Sequence, residues 1–550
     1  MTTSQKISLR IERAWLLLPV SESAPDCRVS LSDASGHEVR LPFTAALSAE
    51  PQSWAPLPVG AWVGQTLELT AETTRDGQTL PELSALKWFQ HDTPYALQQL
   101  YREPLRPLIH FSAPYGWLND PNGLTFFNGE YHLFYQHNPF GTRWGNMHWG
   151  HATSTDLFSW TDWGDVLEPD RLGPVFSGSA FVDETNEYGL GELPARPTLI
   201  LVFTAAGKPF TQCLAWSQDG RTFKRYEKNP VILNLAPENR DPKLFLQDLN
   251  GTAHLALYTR REDEPHAITF LSSTDLRSWD ITGEVQGDDK AFLYECPDCF
   301  QLKTPAGKSY WVLLAGNGEY AIGQFDGKTF HPQYTHLRTC RNDVLYAAQT
   351  FNHLPRNRRL LIGWLRVPAP GMPFSQCMSI PINLSLVETC QGPRLAYYPA
   401  TEITRLVKTD KYQQFPPQAI GRVFQKGETV ATLPPYEPPT LFALSLEISP
   451  KSVCEIQFGG VSLLIDSSKH TLTANGKAYP WHIENSVVEF TIVIDRTVME
   501  IFADSGLDYL AIPASINPGN PSITIHAGSI KNILAISRPL QPPRLSSNLA

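Results

Sequence analysis

Three short segments of this chain set carboxylates among residues suited to chemistry: Trp117-Leu118-Asn119-Asp120-Pro121-Asn122-Gly123, Arg240-Asp241-Pro242-Lys243 and Glu295-Cys296-Pro297-Asp298. The first gathers a carboxylate, carboxamides and an indole, and its Pro and Gly end regular structure. An Asp before Pro is held extended, because the ring clashes with a helical backbone at the preceding residue. Asp120 is then presented from a rigid strand end, with Trp117 as an apolar wall. The same residues also suit an Asx-type turn between two strands, with no chemistry at all. The second segment repeats the Asp-Pro construction, and each of the two later segments leads into an apolar, strand-like run.

Elements that could gather such distant residues are visible as an internal repeat between about residues 105 and 386. Asp156-Leu157-Phe158-Ser159-Trp160 recurs as Asp275-Leu276-Arg277-Ser278-Trp279, and Asp219-Gly220-Arg221-Thr222-Phe223 recurs as Asp326-Gly327-Lys328-Thr329-Phe330. Each copy offers a turn followed by an aromatic, as an outer hairpin requires. Asp120, Ser177, Asp241, Glu295 and Tyr346 follow at the same pace, 57, 64, 54 and 51 residues apart. Units of this length suit a propeller of five four-stranded blades, within the usual range of about four to eight. One chemically loaded residue per unit, at one phase, predicts that all five point into a single central funnel.

On these three motifs, in this order, the chain resembles glycoside hydrolase family 32, the β-fructosidases. Phe176-Ser177-Gly178-Ser179, Trp144-Gly145-Asn146-Met147-His148-Trp149-Gly150-His151 and Tyr346-Ala347-Ala348-Gln349-Thr350-Phe351 are similar to the family as well. The resemblance implies a five-bladed catalytic propeller followed by a β-sandwich, and an exo-acting, retaining enzyme that releases fructose from fructans or sucrose. It makes Asp120 the nucleophile, Glu295 the general acid/base and Asp241 the stabiliser of the transition state through ring hydroxyls, with Arg240 orienting the site. Glycosidic cleavage needs such a pair, an acid for the leaving oxygen and a carboxylate at the anomeric carbon. Asn119 and nearby backbone amides are expected to hold Asp120 low in pKa, as hydrogen bonds to a carboxylate do.

By motif position, Gln136 contacts substrate, and Trp144, Phe176, Ser177, Tyr346 and Trp364 wall the fructosyl pocket; for each aromatic a place in the core of a blade competes. Cys296 matches a family cysteine beside the acid/base. Cys296-Pro297-Asp298-Cys299 has the C-x-x-C form of a zinc or thioredoxin-like site, but no second pair and no βαβ pattern accompany it. His148 and His151 lack the H-E-x-x-H pattern and read as strand residues of the first blade. No cofactor or metal is implied. The same site could pass the fructosyl group to a sugar instead of water. A non-catalytic fructan-binding or sensing protein would not need all three carboxylates, and an inverting arabinanase-like propeller would not need the motif from Trp117 to Gly123.

Composition agrees with a globular protein: 42% hydrophobic and 18% charged residues. A net charge of −10 argues against nucleic acid or an anionic membrane as partner. No apolar run approaches the ~20 residues that span a bilayer. Ala14 to Val20 follows Lys6, Arg10 and Arg13 in the order of a short signal peptide, yet it holds Pro19 and follows Glu12, so a buried strand is the reading. Eight scattered cysteines form no disulfide framework, which points to a cytoplasmic protein.

The expected architecture is all-β, in three parts. Residues 1–95 form an N-terminal β domain that supplies no group to the fructosyl pocket. Residues 96–390 form the propeller, entered through a weakly helical connector over Thr93 to Arg102. Residues 395–550 form a structural C-terminal sandwich, in which Asn475-Gly476 makes a hairpin turn and Ile494 to Phe502 resembles the family's sandwich signature. The basic run Arg356-Asn357-Arg358-Arg359 reads as a solvated turn. Ser379-Ile380-Pro381-Ile382-Asn383-Leu384 departs from the family, lacking the charges of its Ser-Leu-Pro-Arg-Glu-Leu-like run at the propeller–sandwich junction.

Overall fold

The computed structural model describes residues 3–246, 251–288, 290, 292–355, 358–411, 413–419, 426–481 and 486–549. Almost all regular structure in them is β. At its centre five antiparallel sheets form a five-bladed propeller. Blade I runs from its innermost strand Gly116–Phe127 through Glu130–Asn138 and His148–Ser154 to Trp160–Leu167. Blades II to IV begin with the inner strands Val175–Asp183, Glu238–Leu246 and Asp298–Lys303, and each continues outward in chain order. Blade V comprises Leu345–Thr350, Leu360–Leu365, Ile382–Thr389 and Gly392–Pro399. Second strands such as Thr198–Ala205 are buried along their whole length, because they are covered on both faces.

The repeated Asp turns close the outer hairpins of blades I to IV. Asp156 Oδ1 accepts the backbone N–H groups of Phe158 (2.9 Å) and Ser159 (2.6 Å). Asp219, Asp275 and Asp326 each accept the two equivalent amides, at 2.7–2.8 Å. These amides favour the ionised form, at Asp326 behind the larger effect of His331, and all four carboxyls are held below their ordinary pKa. The aromatic that ends each motif then starts or flanks the outermost strand.

An N-terminal module packs a four-stranded sheet (Ser4–Arg10, Thr66–Thr73, Cys27–Ser32, Glu38–Ala45) and a three-stranded one (Ser53–Pro58, Trp15–Val20, Phe89–His91) around Leu16, Leu18, Val29, Leu57 and Leu69. Trp15–Val20 is thus a buried strand. Tyr115 and Phe140 of the propeller complete that core, so the module has no independent boundary on this side. The weak helical pattern over Thr93 to Arg102 does not become a helix: Gln98 and Arg102 donate to Tyr95 and Gln99 in i→i+3 turns, and Tyr101 at φ +59° interrupts any continuation.

The C-terminal sandwich has two six-stranded sheets, one containing Thr440–Ile448, Val487–Ile494 and Val498–Ala503, the other Val453–Phe458 and Val461–Asp466. Asn475 and Gly476, both at positive φ, make the two-residue turn between Thr471–Ala474 and Lys477–Pro480. Past the sandwich the chain returns, and Leu545–Ser547 adds a parallel strand to Trp160–Asp162 at the rim of blade I. Arg356 and Asn357 lie outside the described residues. Arg358 and Arg359 are half-buried and partnered rather than fully solvated as the sequence reading had it: Arg358 pairs with Glu402 at 2.6 Å, and the Arg359 guanidinium lies 5.3 Å from the centre of the Phe300 ring.

Candidate active site

The five loaded segments meet at one end of the propeller because the inner strands break register there. In blade I the pairing skips from Leu118 to Pro121, leaving Asn119 and Asp120 unpaired. In blade II it skips Phe176 and Ser177, in blade III Asp241 and Pro242, and in blade V Ala347 and Ala348. A bulge of this kind re-aims side chains that a regular strand would send to alternate faces. Blade IV achieves the same with Glu295 and Cys296, both at positive φ, just ahead of its inner strand. Asp241 itself sits at φ +64°. The extended backbone expected of an Asp before Pro does not hold at that position.

The resulting pocket, about 220 Å³, is lined by Asn119, Asp120, Gln136, Trp144, Phe176, Ser177, Arg240, Asp241, Glu295, Tyr346 and Trp364, together with Met147 and Arg366. Asp120 accepts hydrogen bonds from Ser177 Oγ at 2.6 Å and Asn119 Nδ2 at 3.1 Å. The Trp117 indole N–H fixes Asn119 in turn, at 2.9 Å. Glu295 accepts from Tyr346 OH on one oxygen (2.5 Å) and from Arg240 Nη2 on the other (3.0 Å). Asp241 Oδ2 accepts from the Cys296 backbone N–H at 3.0 Å. The Cys296 thiol lies beneath both aspartates, 3.5 Å from Asp120 and 3.4 Å from Asp241. Burial and the surrounding carboxylates push that thiol far above its ordinary pKa, so it stays protonated and donates.

Packing three carboxyls against one guanidinium is costly, and burial raises the pKa of both aspartates. Burial, with Glu295 and Asp120 close by, carries Asp241 up to about 7 despite Arg240. Asp120 is also raised: burial outweighs the hydrogen bonds from Ser177 and Asn119, and Glu295 adds to the shift. The expectation that Asn119 and backbone amides hold it low is therefore corrected. Those bonds position the carboxylate, but they do not offset its desolvation.

Gln136 is 2% exposed, and neither its carboxamide nitrogen nor its oxygen has a protein partner. Buried amides are seldom left so, which marks this one for a polar ligand. The aromatic wall is tied together edge to face: Tyr346 and Trp117 against Trp364, and Trp144 against Phe176.

Several contributors carry no motif. Glu238 holds Arg240 Nη1 at 2.8 Å, the Tyr258 ring lies 4.4 Å from the Arg240 guanidinium, and the Thr204 hydroxyl accepts the Asp241 N–H at 3.0 Å. Arg366 lies over Tyr346, its guanidinium 4.1 Å from the ring centre. Period-two alternation along a strand could have suggested Glu238 and Arg366, each two residues from a motif residue. Tyr258 becomes a candidate only once its register opposite Arg240 is known.

Residues 110–399 match the family model described as the glycosyl hydrolases family 32 N-terminal domain. The chain belongs to glycosyl hydrolase family 32. Among its relatives, a levanase of Bacillus subtilis is 35% identical over 338 residues, covering 56% of this chain and 49% of the levanase, so the match spans about half that protein's length. An extracellular exo-inulinase of Aspergillus ficuum is 28% identical over 499 residues, covering 77% of this chain and 91% of the inulinase. Two solved structures share the fold. Exo-inulinase from Aspergillus awamori has a TM-score of 0.71 at 24% identity, covering 80% of this chain and 99% of its own. A fructofuranosidase from Schwanniomyces occidentalis has a TM-score of 0.68 at 22% identity, covering 80% and 98%. All three carboxylates lie within the residues matched to family 32, whereas residues 1–109 lie outside them.

Proposed function

We propose that this family 32 protein is a retaining, exo-acting β-fructosidase that releases terminal fructose from fructo-oligosaccharides, levan- or inulin-type fructans or sucrose. The observation that carries the reading is the convergence of Asp120, Asp241 and Glu295 with the unpartnered Gln136 amide in one small pocket. At about 220 Å³ it is smaller than the ~300–1,000 Å³ of sites for larger ligands, and suits one ring at the end of a chain.

In the first step Asp120 attacks the anomeric carbon while Glu295 gives a proton to the glycosidic oxygen. The bond to the leaving sugar breaks, and a fructosyl ester forms on Asp120. In the second step Glu295 takes a proton from water, the resulting oxygen attacks the same carbon, and Asp120 is freed. Arg240 and Tyr346 hold one Glu295 oxygen each, which fixes the carboxyl for both transfers. Asp241, fixed by the Cys296 and Thr204 contacts, is placed to bind ring hydroxyls as positive charge develops on the sugar.

The anomeric form of fructose at first release, read by NMR before mutarotation, tests the mechanism. Retention gives the β-anomer; the α-anomer from a β-fructoside would remove Asp120 from the nucleophile's role. Chromatography of products from sucrose, inulin and levan separates stepwise release of fructose from transfer to another sugar. We further propose the cytoplasm as compartment, since all eight cysteines are unbridged and seven are buried. Cell fractionation decides it, and recovery of the protein outside the cell would overturn it.

A further inference from the structure

The loop between Glu130–Asn138 and His148–Ser154 of blade I carries Trp144, and the N-terminal module holds that loop at several points. Phe43 stacks on Phe140 with ring centres 4.1 Å apart. The backbone N–H and C=O of Thr44 pair with the Asn146 carboxamide, at 2.8 Å each. Glu22 accepts from Thr142 Oγ1 at 2.8 Å, and Asp26 pairs with Arg143 at 2.7 Å. Glu22 also accepts from the Gly371 N–H at 3.4 Å, on the segment that follows Trp364 and Arg366. The module is therefore bound to two segments that supply pocket walls.

Between module and loop lies a second cleft of about 280 Å³, lined from the module by Glu22, Asp26, Thr44 and Gln52 and from the propeller by Arg143, Trp144 and Asn146 among others. Trp144 lines both this cleft and the carboxylate pocket. It is 59% exposed, an unusual state for an indole and a common one for an aromatic platform. The cleft is polar on the module side. The Gln52 carboxamide spends its oxygen on the Glu22 N–H at 2.8 Å, which leaves its NH₂ group for a hydroxyl.

We propose that the N-terminal module completes the substrate groove: the cleft at its seam binds sugar units that follow the terminal fructosyl residue, with Trp144 shared between the two sites. This rests on the β-fructosidase reading above. A terminal ring seated over Asp120 leaves the next units no path toward the buried end of the pocket. Across Trp144 they meet Gln52, Glu22 and Arg143, donors and acceptors suited to hydroxyls. The ligand is a β-fructan oligosaccharide, and the module sets a preference for longer chains over sucrose. It does so without entering the fructosyl pocket, which no residue of the module lines.

Gln52 is exposed, so replacing it leaves the core of the module intact. Gln52→Trp fills the cleft and Gln52→Ala removes its amide. The ratio of kcat/KM for a fructan tetrasaccharide to that for sucrose is expected to fall about fivefold or more in Gln52→Trp and about twofold in Gln52→Ala. An unchanged ratio in Gln52→Trp would overturn the proposal. A binding arm separates this from the hydrolase reading: calorimetry of the same tetrasaccharide with Asp120→Asn protein, with and without Gln52→Trp. Weaker binding in the double variant supports the cleft even if the wild type releases no fructose, an outcome that would sink the hydrolase reading alone. Equal binding would overturn the cleft whatever the catalytic result.

Discussion

At the residue scale the pocket assigns different consequences to its carboxyls. Asp120→Ala removes the proposed attacking group, so turnover is expected to fall on the order of 10⁴-fold or more on every substrate. Glu295→Ala leaves Asp120 with its Ser177 and Asn119 contacts, so a fructoside with a good leaving group should still load the enzyme. Sucrose hydrolysis should then drop roughly 10²–10⁴-fold. Added azide should restore turnover and yield a fructosyl azide of retained configuration; absence of that product would remove Glu295 from the acid/base role. The three carboxylates were legible in the sequence because short, Pro-bounded motifs carry them. Glu238, Tyr258, Thr204 and Arg366 were not, because each acts through a motif residue and becomes visible only when strands are paired. The direction in which the pKa of Asp120 moves was misread for a related reason: sequence shows the hydrogen-bonding neighbours, whereas burial is a property of the assembled pocket.

At the element scale the decisive device is the bulge, one skipped pair at the same depth in four inner strands. The repeat spacing revealed the common phase but not the bulges, which depend on cross-strand register. Gly178 shows how tightly one of them is built. A Cβ there would lie 2.0 Å from the Val202 carbonyl oxygen and 2.7 Å from the Phe203 Cα, and neither is a flexible side-chain end. Its N–H also donates to Asn122 Oδ1 at 3.0 Å, linking the bulges of blades I and II. Gly178→Ala must therefore displace the strand and carry Ser177 away from Asp120. The expected loss of stability is about 1–3 kcal/mol, seen as a lower melting temperature. Its kcat should fall at least as far as that of Ser177→Ala. An alanine variant with wild-type melting and wild-type kcat would show that the bulge does not set the position of Ser177.

At the scale of the whole molecule, propeller and sandwich are locked by a charge cluster that the sequence only hinted at. His110 is fully buried and spans Asp495 (2.8 Å from Nδ1) and Glu500 (2.8 Å from Nε2), both in the segment resembling the family's sandwich signature. Asp495 also accepts the N–H groups of Leu108 and Ile109, while Glu500 accepts from Tyr509 OH and the Ile380 N–H. Ile380 belongs to the run that departs from the family pattern. In this chain that run meets the sandwich through a backbone amide donating to Glu500, so the junction does not depend on the missing charges. Burial opposes a charge on His110, but the two carboxylates prevail and carry it up to about 9. A histidine raised above its unfolded value of about 6.5 contributes stability that is complete below that pH and is lost as pH climbs through about 9. Asp495 acts in the opposite direction: held below its ordinary pKa, its share is present above about 4 and is lost on further acidification. The His110 share is on the order of 3 kcal/mol. The melting temperature of the wild type should accordingly decline between pH 6.5 and 9.5 more steeply than that of His110→Gln, which has no proton to lose there. The variant should also melt lower at pH 6, since two buried carboxylates lose their cation. Other groups titrate in this range in both proteins, so the difference between the two curves isolates the junction. Parallel curves across that interval would mean that His110 is not charged in the folded protein, and the clamp would reduce to neutral hydrogen bonds.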